Sequence, residues 1–190
     1  MNVYGKDQFF IYGVKEMIKQ MEYREQSSPL SLCLYVMAGM DPAEIFTCLT
    51  LHPPTDFAIF ISAKRHYDLL NRLSSELTTL CVAEHLTLSE LRQTLAVMEM
   101  LRRQNAPGSH AQNHFKFTRA EQQIMQLTLR GHSIDEIARI RGVSPVTISV
   151  QRSGLMKRTG TKSILELCAL YRAYQSTPHA AGYHCHAAAL

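Results

Sequence analysis

Apolar positions along the 190-residue chain change period several times, and the changes divide it into elements. "QFFIYGVKEMIKQMEY" places Phe10, Val14, Met17, Ile18 and Met21 at helical spacing, which predicts a helix with one buried face. "LSLCLYVMA" (30–38) is an unbroken apolar run between Pro29 and Gly39, the pattern of a buried strand. Asp41-Pro42 follows, an N-cap with proline in the first turn, and opens a helix through about Leu51 that "HPPT" breaks. "DFAIFIS" (56–62) and "TTLCVA" (78–83) are further apolar runs, separated by the helical "KRHYDLLNRLSSEL". "TLSELRQTLAVMEMLRR" then sets Leu88, Leu91, Leu95 and Met98 on one helical face. Strands alternating with helices predict an α/β N-terminal domain with three parallel strands, or four if "NVYG" at the start contributes, covered on both faces.

The pattern changes at 104–115, "QNAPGSHAQNHF", where apolar residues thin out and Pro, Gly, Ser and Asn accumulate, as in a linker. Beyond it every periodic segment is helical until about Tyr174. The last stretch, "STPHAAGYHCHAAAL", has neither periodicity nor formal charge. The expected organisation is an α/β domain over 1–103, a linker over 104–115, an all-α four-helix domain over 116–175 and a flexible tail over 176–190.

Composition narrows the class. Hydrophobic residues make up 46% of the chain and charged ones 19%, enough for real cores. No apolar run approaches the roughly 20 residues of a membrane-spanning helix, and the N-terminus lacks the features of a signal peptide, so a soluble, cytoplasmic protein without a membrane partner is expected. The five cysteines, Cys33, Cys48, Cys81, Cys168 and Cys185, are odd in number and irregularly spaced, which argues against a disulfide framework or a zinc site. His179, His184, Cys185 and His186 are metal-ligating residue types, but their spacing is poor and a spectator tail is the plainer reading. No paired carboxylates, metal cluster or phosphate loop stands out, so no catalytic residue, metal or cofactor is expected and an enzyme is disfavoured.

Charge is uneven. Residues 1–114 carry ten Lys/Arg and twelve Asp/Glu, a net of −2, whereas residues 115–175 carry ten and four, a net of +6. The second half alone therefore suits a polyanion.

Within that half, "SIDEIARIRGVSPVTISVQ" (133–151) holds two short helical patterns with almost nothing between them. Thr118 with Glu121, and Ser133 with Glu136, have capping-box spacing. Ile124, Leu127, Thr128 and Leu129 mark the inner face of the first helix, and Ile134, Ile137, Ala138 and Ile140 that of the second. Gly131 and Gly142 are stops. Ser144 caps a third helix with Pro145 in its first turn, and Ile148, Leu155 and Met156 are set to face inward. Two helices joined this tightly must cross, which is the helix-turn-helix geometry, and its consequence is that the second presents an outward face to the DNA major groove. The outward positions expected are Ser149, Val150, Arg152 and Ser153, with Lys157 and Arg158 a turn later. Serine and arginine can bond base edges or phosphates, and Val150 can meet a thymine methyl. The backbone N–H groups at the start of this helix would favour phosphate.

The same residues carry a family resemblance. The stretch from Phe117 to Leu167 resembles the LuxR-type (NarL/FixJ) DNA-binding domain through T-x-x-E-x-x-[IV]-[LM], G-x-S-x-x-E-I-A, [IV]-S-x-x-T-[IV] and K-x-x-G, met here by Thr118, Glu121, Gly131, Ser133, Glu136, Ile137, Ala138, Val143, Ser144, Thr147 and Gly160. The resemblance implies a bacterial transcriptional regulator whose partner is double-stranded DNA, with Ser144, Thr147, Ser149, Val150, Gln151, Arg152, Ser153 and Lys157 at the DNA. It departs from the family's usual T-V-K-x-H, with Ser149 for the lysine and Gln151 for the histidine, and from Lys-Leu-Gly, which here is Arg158-Thr159-Gly160. The binding mode is therefore expected to carry over better than the target sequence. The family's last helix commonly makes the dimer contact, which maps to Leu165, Cys168 or Ala169, and Arg172, in a homodimer or a heterodimer with a related regulator.

The first half is similar to receiver domains, and "KDQFFIYGVKEMI" more closely to atypical LuxR-type regulators of fimbriae and capsule of the Mat/Ecp type. A working receiver needs an acidic pair after its first strand, an aspartate after its third and a lysine after its fifth, to hold Mg²⁺ and stabilise a phosphoryl group. Here Lys6-Asp7, Ile61-Ser62 and Glu84 stand at the positions considered, so a degenerate receiver without standard aspartate phosphorylation is expected. The alternative is an auxiliary regulator acting through heterodimerisation. A generic helical bundle and a sigma-factor region-four domain share parts of the pattern. The basic charge and the ordered motif disfavour the bundle, and the sigma reading lacks an upstream polymerase-binding segment.

Overall fold

The computed structural model describes residues 1–20, 31–54, 56–74, 77–104 and 115–177. The expected linker segment 105–114 and the His/Cys tail from 178 onward lie outside them. The chain divides into two compact units, Met1–Met40 with Leu51–His114, and Asp41–Thr50 with Phe115–Leu190.

The first unit is built on a four-stranded parallel sheet in the order β1-β2-β3-β4, with β1 at Asn2–Gly5, β2 at Leu32–Val36, β3 at Phe57–Ile61 and β4 at Thr78–Val82. The short opening strand does contribute, pairing Asn2 with Cys33 through Gly5 with Val36. Gly5 lies so close to the Val36 carbonyl that a β-carbon would collide with it. The central strands β2 and β3 are buried at every position, which accounts for their unbroken apolar runs. β4 was expected to be equally buried but is half-buried throughout, because it bonds to β3 alone and forms one edge of the sheet.

Helices α1 (Gln8–Gln20) and α4 (Leu88–Gln104) share one face. Ile11 and Val14 of α1, and Leu91, Leu95 and Met98 of α4, pack with Leu32, Leu34, Val36, Phe57, Ile59 and Ile61 in one cluster. Leu88, expected on that face, stays exposed in the first turn, beyond the end of the buried stripe. A short 3₁₀ turn, Lys64–His66, leads into α3 (Tyr67–Leu73). Asn71 of α3 meets Cys81, which alternation along β4 directs to the opposite face from Leu80 and Val82. Both faces of the sheet are therefore covered.

The C-terminal ends of the strands carry Lys6 and Asp7 after β1, Met37 after β2, Ser62 after β3 and Glu84 beyond β4. Asp7 Oδ1 accepts from the Phe9 and Phe10 amides at 2.9 and 3.1 Å, capping α1. Ser62 is buried, its hydroxyl 3.2 Å from His66 Nδ1.

The second unit is all-α. Helices α5 (Arg119–Leu129), α6 (Ile134–Arg141), α7 (Pro145–Thr159) and α8 (Ile164–Gln175) are joined by loops of three or four residues, and Asp41–Thr50, which holds most of α2 (Pro42–Leu51), belongs to the same unit. Ile124, Ile137, Ala138 and Ile148 form the centre where α5, α6 and α7 meet. A second centre is aromatic. Phe117 stands edge-on to Tyr171, with centroids 5.0 Å apart, and Phe115, Tyr174 and Phe46 of α2 complete it. None of the helices among the described residues is long and apolar enough to cross a membrane.

Candidate nucleic-acid interface

The helix boundaries around α6 and α7 are set locally. Thr118 and Ser133 both close capping boxes, in which each hydroxyl accepts from the glutamate amide three residues on and each glutamate returns a bond to the cap amide. The Glu121 and Glu136 carboxylates accept from Thr118 N and Ser133 N at 2.8 and 2.7 Å. These bonds hold the exposed Glu136 carboxyl below its ordinary range, the Ser133 backbone bond contributing most. Gly142 ends α6 at φ +64°, a left-handed conformation that reverses the chain within three residues. Ser144 then caps α7, its Oγ 3.1 Å from Thr147 N.

This turn sets α7 across α6. Ile148 and Leu155 are buried beneath it, so the opposite face is exposed. Ser149, Val150, Gln151, Ser153 and Lys157 all stand on the exposed side, with Val150 64% accessible. Ser144 is exposed and Thr147 half-buried, their hydroxyls 2.8 Å apart and bonded to each other. Arg152 is half-buried, close enough to Cys168 on α8 for its charge to oppose the rise that burial causes in that thiol's pKa. The amides at the start of α7 are fewer than a helix start ordinarily offers, because Pro145 has none and Ser144 occupies that of Thr147.

Two expectations are corrected. Arg158 does not face outward with Lys157. Its Nη2 lies 2.8 Å from Glu121 Oε2, its Nη1 reaches the Lys116 carbonyl at 3.4 Å, and its guanidinium stands 5.4 Å from the Phe115 ring centroid. One residue is about 100° of helical turn, enough to carry Arg158 from the exposed side to the α5 side. Ile140 does not join the inner stripe of α6 and is 58% exposed, since Ile137 and Ala138 already occupy the side that meets α7.

Sequence reasoning missed Val146 and Arg141. Val146 is 70% exposed one turn before Val150 and on the same side, a spacing that could have revealed it. Arg141, the last residue of α6, donates from Nη1 to Gln151 Oε1 at 3.2 Å. Nothing in the local pattern signals that contact, which depends on the crossing of two helices. On α8, Leu165, Ala169 and Arg172 are exposed and Cys168 half-buried, one strip along the helix. Among the described residues no group of three or more His, Cys, Asp or Glu side chains could hold a metal ion.

Comparison with known proteins agrees with this geometry. Residues 116–171 match the family described as bacterial regulatory proteins, luxR family. No curated protein matches the chain. Two solved structures resemble it over 91% of its length and 98% of theirs. One is of two RcsB dimers bound to two parallel DNAs, at 13% identity and TM-score 0.51. The other is of the two-component response regulator RcsB–DNA complex, at 15% and 0.53. Likeness at that identity concerns the fold, a receiver-like α/β unit with a helical C-terminal one. The capping boxes, the left-handed Gly142, the crossed α6 and α7 and the family match together identify residues 116–171 as a LuxR-family helix-turn-helix domain.

Proposed function

We propose that the protein is a bacterial, cytoplasmic transcriptional regulator that inserts α7 in the major groove of double-stranded DNA. The observation that carries this reading is the division of α7 into a buried side, Ile148 and Leu155, and an exposed side of Ser149, Val150, Ser153 and Lys157. Ser149 and Val150 would read base edges, while Lys157 and Arg152 would meet phosphate, with Ser144, Thr147, Gln151 and Ser153 flanking them. The organisation proposed is the receiver-like domain over 1–103, linker 104–115, DNA-binding domain 116–175 and tail 176–190. The DNA complexes of the similar RcsB structures support the reading by analogy of fold.

The receiver-like unit is proposed to work without standard aspartate phosphorylation. Met37 and Ser62 stand where strands β2 and β3 end, and the Asp7 carboxylate is engaged as the cap of α1. Incubation with a small-molecule phosphodonor should leave DNA affinity unchanged and add no phosphate.

A second reading, an auxiliary regulator acting through a heterodimer, draws on α1, where Phe9 is 91% exposed and Tyr12 stands beside it. Aromatic side chains in such positions suit a protein contact. In the first reading the α8 strip of Leu165, Cys168, Ala169 and Arg172 would join two copies of the chain.

Fluorescence anisotropy of the full chain on random and promoter duplexes, across a salt series, tests these readings. Log K falling linearly with log salt, with some duplexes bound far more tightly, is the result expected of a self-sufficient regulator. Weak binding, equal on all duplexes, would favour the heterodimer.

A further inference from the structure

Arg141, the last residue of α6, reaches across the turn to the exposed side chain of Gln151 on α7. Arg141 is half-buried, and its Nη1 also lies 3.5 Å from the Ala120 carbonyl of α5. The guanidinium is thus anchored behind the turn and presents a donor to Gln151 Oε1 at 3.2 Å. A guanidinium has donors alone, so the atom facing it must be the amide oxygen. The amide nitrogen, with its two donors, is then the other end of an exposed side chain.

This bears on what Gln151 can recognise. A glutamine that reads adenine uses both ends of the amide, the oxygen accepting from N6 and the nitrogen donating to N7. The oxygen keeps a second lone pair, but its turn toward α6 aims it away from a base edge and leaves the amide nitrogen as the group to meet DNA. Resting on the DNA-binding reading above, we propose that Arg141 is a positioning residue that makes Gln151 a hydrogen-bond donor toward acceptor atoms of DNA. Those acceptors are guanine O6 or N7, thymine O4, or a phosphate oxygen. The adenine contact is disfavoured.

The test is selection from randomised duplexes together with anisotropy, using the full-length wild type, Arg141→Met, Gln151→Met and the double variant. Arg141→Met should lose its effect on DNA binding in the Gln151→Met background, because it acts through that side chain. If the acceptor is a base, the wild type excludes adenine at one position, Gln151→Met is indifferent there, and Arg141→Met admits adenine with an enrichment of about 5- to 100-fold. If it is a phosphate, both single variants weaken every duplex by the same factor. Arg141→Lys, whose ammonium is also a donor at the end of a long side chain, should stay closer to the wild type than Arg141→Met does.

Additive losses in the two variants, or a wild-type preference for adenine at the Gln151 position, would each overturn the proposal. Thermal melting of the same proteins without DNA shows that each is folded. A wild type with no salt-dependent binding at all would remove the DNA reading itself and this inference with it, a result visible before any variant is compared.

Discussion

Arg158 Nη2 and Glu121 Oε2 lie 2.8 Å apart, and the same carboxylate oxygen accepts the Thr118 amide that caps α5. The pair ties the last turn of α7 to the first turn of α5, with both side chains about four-fifths buried, at 21% exposure each. Lys157, one residue earlier, is exposed. Two adjacent cations on one helix therefore have different work.

Arg158→Ala should lower stability by about 1–2 kcal/mol, since it removes a charge-assisted bond, a carbonyl contact and the stack on Phe115. Thermal or urea unfolding measures this, and the slope of log K against log salt should stay as in the wild type. Lys157→Ala should do the reverse, leaving unfolding unchanged, weakening all duplexes similarly and flattening the salt slope by about one. A salt slope that changes only in Arg158→Ala would show the assignments reversed.

Val150→Ala should change preference at one base position by roughly 1–3 kcal/mol, because a methyl contact to thymine is specific where a phosphate contact is not. Binding titrations on duplexes differing at single positions measure it. An equal loss on every duplex would place Val150 away from the bases.

Acidification should weaken the start of α6. The Glu136 carboxyl titrates below its ordinary value of 4.5 because Ser133 hydrogen-bonds the charged form, through its amide first and its hydroxyl second. A depressed folded-state pKa contributes stability above the unfolded value, and that contribution is lost as pH falls through the folded one. Glu90, lowered by Thr87 at the start of α4, has the same sign. Melting temperature followed between about pH 6 and pH 3 should therefore fall less steeply in Glu136→Gln than in the wild type. Parallel curves would show that the capping box has no linkage to pH.

Thiol chemistry should separate two half-buried cysteines. Burial pushes the Cys81 thiol up to about 11, whereas the rise that burial causes at Cys168 is opposed by Arg172 and Arg152. At mildly alkaline pH iodoacetamide should label Cys168 faster than Cys81, as read by peptide mapping. If α8 joins two copies, labelling of Cys168 should also slow as protein concentration rises.

The sequence by itself determined most of the elements and the helix-turn-helix class of residues 116–171. Capping residues, glycine stops and helical periodicity act over three or four positions, so Thr118, Ser133, Gly142 and Ser144 could be read directly, as could the buried β2 and β3 from their unbroken apolar runs. Tertiary structure decided what depends on neighbours distant in the chain. β4 is half-buried because it is an edge, a fact of strand order. Arg158 turns inward because Glu121, 37 residues earlier, and Phe115 wait there, which no local pattern records. Ile140 is exposed because only the side of α6 carrying Ile137 and Ala138 meets α7. Phe46 belongs to the aromatic centre of the helical unit although strands precede and follow it in the chain. The contact of Arg141 with Gln151 exists only because two helices cross at the angle the Gly142 turn permits. Local bonds decide where elements begin and end, and packing decides which side chains remain free to meet a partner.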